Sequence, residues 1–181
     1  MYDPPKSDSM SRAPNKSSST SRSNVSAPRI ADAVERARAT FAERNLRFTD
    51  LREQVFAEIA STNGAIGAYD ILDRLSGKGT RLAPISVYRS IDALLEAGVI
   101  HRLESKNAYF ACRRHEHGRH GRPIFLSCER CGSVTEAPAQ SVFDLINEVA
   151  RGQGFDPKVK FVEVLGLCTR CLEKSARGGE K

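Results

Sequence analysis

Two Cys-x-x-Cys pairs, Cys128/Cys131 and Cys168/Cys171, constrain what this chain can fold into more than any other feature. Two such knuckles can present four thiolates to one tetrahedral Zn²⁺ at about 2.3 Å. Thirty-six residues separate the pairs, enough to hold a helix and a strand inside the loop. A redox-active Cys-x-x-Cys is the rival reading, and two motifs bracketing one α/β unit speak against it. Four protein ligands leave no open coordination position, so the expected metal is structural and performs no catalysis. A unit this small also lacks a comfortable core, and such units need a metal, a partner chain, or both.

The rest of the chain points to a soluble, cytoplasmic protein. Its 40% hydrophobic and 28% charged residues are ordinary for a globular fold. There is no apolar run near the roughly 20 residues that span a bilayer, and the N-terminus has no apolar stretch of secretory type. In the cytoplasm thiols stay reduced, which again favours paired cysteines as metal ligands. The net charge of +6 is modest, and residues 113–122 alone hold four arginines against one glutamate. That balance permits nucleic-acid binding without demanding it.

Composition and periodicity divide the chain into four parts. Residues 1–28 carry nine serines and almost nothing apolar, and they read as a disordered tail. Residues 29–112 read as a DNA-binding domain, 113–122 as a basic hinge, and 123–174 as a small α/β domain. A first helix is expected from Arg29 to about Asn45. Thr49 is placed to cap a second, on which Leu51, Val55 and Ile59 share a face. A third, short helix carries Tyr69, Ile71, Leu72 and Leu75. Pro84 opens a fourth, and Gly98 closes it at the position just past the last turn. Val87, Ile91, Leu94 and Leu95 form its apolar stripe, with Arg89 and Glu96 roughly opposite and Ser86 and Tyr88 at its flanks. Two β-like runs, Val99–Leu103 and Ala108–Cys112, follow. Helices and a hairpin in this order read as a winged helix-turn-helix. Beyond the hinge we expect a strand at Ile124–Leu126 and a helix from Pro138 to Arg151. Val142, Ile146 and Val149 share one face of that helix, and a strand follows at Val159–Leu165.

The histidines form a second signal. All four (His101, His115, His117 and His120) lie within twenty residues, together with the fifth cysteine, Cys112. The alternative is a solvated Arg/His-rich linker.

With these residues in view, the chain resembles the ferric-uptake-regulator family, most closely its zinc-uptake branch. The resemblance rests on Pro84-Ile85-Ser86-Val87-Tyr88-Arg89, Leu94 through His101, Leu103-Glu104-Ser105 and Tyr109 through Cys112. It continues through Cys128 to Gly132 and Gly166-Leu167-Cys168-x-x-Cys171. It implies a homodimer whose C-terminal domains pair, each subunit carrying a winged helix, with metal occupancy setting the angle between its domains. It further implies a regulatory metal site of His101, Cys112, His120 and Glu136, with His115 and His117 as alternatives to His120. DNA-facing positions carry over as Tyr69, Ser86, Tyr88 and Arg89. The implied cofactor is Zn²⁺, about two per subunit, one structural and one regulatory.

The resemblance thus implies a zinc-responsive repressor that binds operator DNA as a zinc-loaded homodimer and controls zinc uptake. A metal held by groups from both domains and the hinge would fix the domains relative to one another. About 5.5 kcal/mol of differential affinity suffices to move such an equilibrium from 1:99 to 99:1. An iron- or peroxide-responsive relative is the closest alternative, and a thiolate among the ligands favours Zn²⁺ over harder Fe²⁺ or Mn²⁺. A non-sensing winged-helix/zinc-ribbon transcription factor would leave the His/Cys cluster unexplained. An enzyme is not expected, because the sequence has no HExxH motif and no nucleophile constellation.

Overall fold

A computed structural model describes residues 25–79, 82–113, 123–158 and 160–177. The first helix, α1 (Ala27–Glu43), starts two residues earlier than expected because Pro28 stands where its missing N–H costs nothing. In α2 (Asp50–Ala60) the Thr49 hydroxyl accepts from the Arg52 amide at 3.4 Å, with Asp50 and Glu53 in the first turn. Short helix α3 (Ala68–Ser76) and the Pro84-initiated α4 (Pro84–Glu96) complete the helical layer. Gly98, at φ +69°, ends α4, and the Val99 amide reaches back to the Leu94 carbonyl. Only a residue free of Cβ strain turns the chain here at no cost.

The wing follows as β1 (Ile100–Leu103) paired antiparallel with β2 (Ala108–Ala111). A single 3₁₀ turn, Glu104–Lys106, and a left-handed Asn107 connect them. Phe41, Val55, Ile59, Ile71, Val87, Ile91 and Leu94 are fully buried in one core with the wing's Ile100 and Tyr109. Burying each such large side chain is worth about 1.5–3 kcal/mol, so this domain can hold itself together.

The C-terminal domain has a three-stranded sheet of order β4-β3-β5. Strand β3 (Pro123–Cys128) pairs antiparallel with β4 (Val134–Pro138) and parallel with β5 (Glu163–Gly166). Helix α5 (Gln140–Gly152) makes the crossover between β4 and β5, and α6 (Thr169–Arg177) ends the described chain. Strand β4 and helix α6 have no counterpart in the sequence reading. Both lean on the cysteine knuckles rather than on an apolar repeat. Strand β5 is shorter than the apolar run around it, since only Glu163–Gly166 finds a partner on β3.

The apolar face expected on α5 is largely uncovered. Phe143 is buried, whereas Val142, Leu145 and Val149 are 38%, 60% and 61% exposed. The helix therefore packs on one side and leaves an apolar stripe uncovered on another. Val164 and Leu165 of the edge strand β5 are exposed as well. No helix among the described residues is long and apolar enough to cross a membrane.

Candidate metal centres and DNA-facing surface

The four cysteines of the two knuckles converge. Cys128 closes β3 and Cys131 sits in the β3–β4 turn, where the Gly132 amide returns to the Cys128 carbonyl. Cys168 follows β5, and Cys171 lies in the first turn of α6. Their sulfur atoms all lie within 4.8 Å of one another, and Cys128 and Cys171 are buried. Cys131 Sγ and Cys168 Sγ are 3.7 Å apart. Tetrahedral bonds of about 2.3 Å place sulfurs about 3.8 Å apart, so the spacing suits Zn²⁺.

Their electrostatics point the same way. Hydrogen bonds from the Ser133 hydroxyl and amide, helped by Arg170 against the cost of burial, bring the Cys131 thiol down to about 5. Backbone amides of Cys168, Cys131 and Arg130 lower Cys128 despite its burial. Burial and the three neighbouring sulfurs push Cys171 up to about 12. A cation among the four sulfurs would favour their thiolate forms together, as a Zn²⁺ site needs.

A second cluster joins the two domains. His101 is the second residue of β1, Cys112 directly follows β2, and Glu136 stands in the middle of β4. One ligand atom from each lies within 4.8 Å of the others. His101 Nε2 is 3.6 Å from Glu136 Oε2, and Cys112 Sγ is 3.4 Å from the same oxygen. The Arg113 amide donates to Glu136 Oε1 at 2.9 Å. Burial pushes the Glu136 carboxyl up, but His101, the Arg113 amide and Cys112 outweigh it and hold the pKa below its ordinary value. Phe110 and Phe125 wall the imidazole, with ring centroids 5.5 and 5.2 Å away. Imidazole, thiolate and carboxylate in a partly buried pocket form a donor set that fits Zn²⁺. His115, His117 and His120, together with most of the expected hinge, lie outside the described residues.

The expected DNA-facing residues gather around the start of α4. Arg89 is exposed, Ser86 is half-buried, and Tyr88 is 36% exposed. Tyr69, on α3 and 70% exposed, meets the Tyr88 ring edge-on at a centroid distance of 6.5 Å. Tyr88 thus neighbours Arg89 on α4, and Tyr69 reaches it from α3.

Sequence reasoning missed the contacts that dock the winged domain onto the C-terminal sheet. Leu103 and Phe110 of the wing share a buried cluster with Val134 of β4. Gly64, before α3, bridges to Ser133 beside the first knuckle. Glu163 of β5 accepts hydrogen bonds from the wing turn. Its one sequence signal is a lone carboxylate inside the apolar run Phe161–Leu165.

Comparison with known proteins agrees with this geometry. The profile of the ferric uptake regulator family matches residues 43–165. The zinc uptake regulation protein of Escherichia coli K12 is 38% identical over 135 residues, covering 75% of this chain and 78% of that protein. A solved structure of a zinc uptake regulator complexed with zinc and DNA superposes with a TM-score of 0.73. It shares 35% identity and covers 81% of this chain and 97% of its own. The crystal structure of holo XcZur gives 0.69 at 34% identity, covering 78% of this chain and 98% of its own.

Proposed function

The chain belongs to the ferric uptake regulator family, and from that premise we propose that it is a zinc-responsive repressor that binds operator DNA as a homodimer. The observation that carries this reading is the His101, Cys112 and Glu136 cluster, whose ligands come from both domains. Zn²⁺ bound there would favour the one arrangement of the domains in which its ligands meet. His101 and Cys112 anchor the wing, and Glu136 belongs to β4, so the recognition helix α4 and the C-terminal sheet keep a set orientation. Within the bridging segment, His120 is the preferred fourth ligand, with His115 and His117 as alternatives. The Cys128, Cys131, Cys168 and Cys171 site is the structural one, giving about two Zn²⁺ per subunit. The regulated genes on this reading serve zinc uptake.

Several features support the remaining parts. Relatives named as zinc uptake regulators, one of them solved with zinc and DNA, favour zinc over iron. Arg89, Tyr88, Ser86 and Tyr69 form the DNA-reading surface. The uncovered stripe on α5 and the edge of β5 suit a second copy of the chain. Two such subunits would present two α4 helices to successive major grooves. Binding rather than turnover is the function, so the protein is not an enzyme. Cysteines that serve as metal ligands rather than disulfides, together with a DNA partner, suit the cytoplasm.

Cys112→Ser tests the reading. With a duplex selected by the zinc-loaded wild type from a randomised library, the variant should remain folded and dimeric. It should bind about one zinc fewer per subunit and lose zinc-dependent DNA affinity. Full stoichiometry with an unshifted zinc response would put the sensor elsewhere.

A further inference from the structure

The contacts between the domains extend well beyond the metal-ligating residues, and two of them are unusually demanding. The Glu163 carboxylate spans the start of the wing's 3₁₀ turn. It accepts the Glu104 amide on Oε1 at 2.6 Å and the Ser105 amide on Oε2 at 3.2 Å. Burial pushes this carboxyl up, but the donors of Ser105 and Glu104 outweigh it and keep it ionised. One residue further along the turn, Lys106 Nζ donates to the buried Ser127 Oγ at 3.0 Å. The turn is thereby held across β3 and β5 by groups that belong to neither metal cluster.

A second contact lies at Gly64. A Cβ there would stand 2.2 Å from the Gly132 carbonyl oxygen, and its three nearest atoms would all belong to Gly132. The φ of Gly64 is outside the left-handed region, so its backbone accepts any residue. What Gly64 supplies is space, and the element filling that space is the turn that carries Cys131.

We propose that Glu163 and Gly64 are positioning residues that hold the winged domain in its DNA-binding orientation through contacts needing no metal ligand. Zinc at the His101, Cys112 and Glu136 cluster then completes an arrangement that this interlock already favours. The interlock lowers the free zinc needed, because a population already biased toward the competent state raises apparent affinity. It also ties the four-cysteine knuckle to DNA binding, since that knuckle is the surface on which Gly64 rests. This inference rests on the zinc-responsive reading above.

The test compares Glu163→Gln and Gly64→Ala with wild type, each full length. Three quantities are read: zinc per subunit, DNA affinity across buffered free zinc, and exchange protection of the Glu104 and Ser105 amides. The probe is a duplex selected by the zinc-loaded wild type. A Gln can still accept one amide but turns its NH₂ toward the other. Both variants should keep wild-type zinc stoichiometry and need more free zinc for half-maximal DNA binding, roughly tenfold more in Glu163→Gln, the scale of one charge-assisted hydrogen bond. The Glu104 and Ser105 amides should lose protection in Glu163→Gln. An unchanged zinc response in Glu163→Gln overturns the role of Glu163, and an unchanged response in Gly64→Ala overturns that of Gly64. If wild type itself binds DNA regardless of zinc, the functional reading fails instead, and amide protection alone decides whether Glu163 holds the wing.

Discussion

At the scale of single residues, chemistry is set by which groups lie within reach of one oxygen or one sulfur. Glu136 collects the His101 imidazole, the Cys112 thiol and the Arg113 amide, two groups from near the wing strands' ends and one from the first residue of the bridge. Arg170 does comparable work at the other cluster, stabilising the Cys131 thiolate from outside the ligand set. Arg89 is a residue of a different kind: it is exposed on α4, and the proposed function makes it a DNA contact. Guanidinium groups recognise guanine by a bidentate contact in the major groove. Arg89→Ala should therefore lose about 1–3 kcal/mol of base discrimination at one position per half-site. A competition series over single-base variants of the selected duplex checks this. A uniform loss with a shallower salt dependence would assign Arg89 to a phosphate instead.

Among the elements, the knuckles play the part that apolar contacts play in the winged domain. Strand β3 ends in one cysteine pair, and the second pair lies between β5 and the first turn of α6. The Glu129 amide donates to the Gly166 carbonyl, and the Cys168 amide to Cys128 Sγ, so the strand ends are tied together at the site. Few apolar side chains are buried nearby, mainly Val134, Ala139 and Phe143. Metal binding energy is then part of the folding energy. Cys128→Ser should unfold the C-terminal domain while the winged helix, with its own core, still melts cooperatively. Calorimetry with and without chelator checks both halves. A variant that keeps a folded, dimeric C-terminal domain would show that the sheet does not depend on the site.

For the whole molecule the governing facts are one covered and one uncovered surface. The covered surface runs between the domains, from Gly64 and the first knuckle, through Leu103, Phe110 and Val134, to Glu163 on the wing turn. The uncovered one considered for pairing is the α5 stripe of Val142, Leu145 and Val149. If two copies meet there, each Leu145 buried contributes about 1.5–3 kcal/mol, and symmetry counts it twice. Leu145→Asp should shift the zinc-loaded protein from dimer to monomer in sedimentation, with its helicity unchanged. Persistence of the dimer would move the interface off this face.

Local patterns were enough to read much of this protein from its sequence. Thr49, Pro84 and Gly98 mark helix ends because capping and backbone preference act over a few residues. The spacing of Cys128, Cys131, Cys168 and Cys171 announced a four-thiolate site because each knuckle is a local turn. The family resemblance pointed to His101, Cys112 and Glu136, which the fold brings within 4.8 Å. The side of α5 left uncovered was not legible, because an apolar repeat marks a sticky face without saying whether its partner lies in the same chain. Strand β4 and helix α6 escaped because each is short and abuts the cysteine knuckles, with few apolar residues of its own to announce it. Gly64 and Glu163 were invisible as functional residues. A glycine that leaves room for the Gly132 backbone, sixty-eight residues later in sequence, and a carboxylate that seeks amides near Glu104, acquire meaning only when tertiary packing brings distant segments into contact.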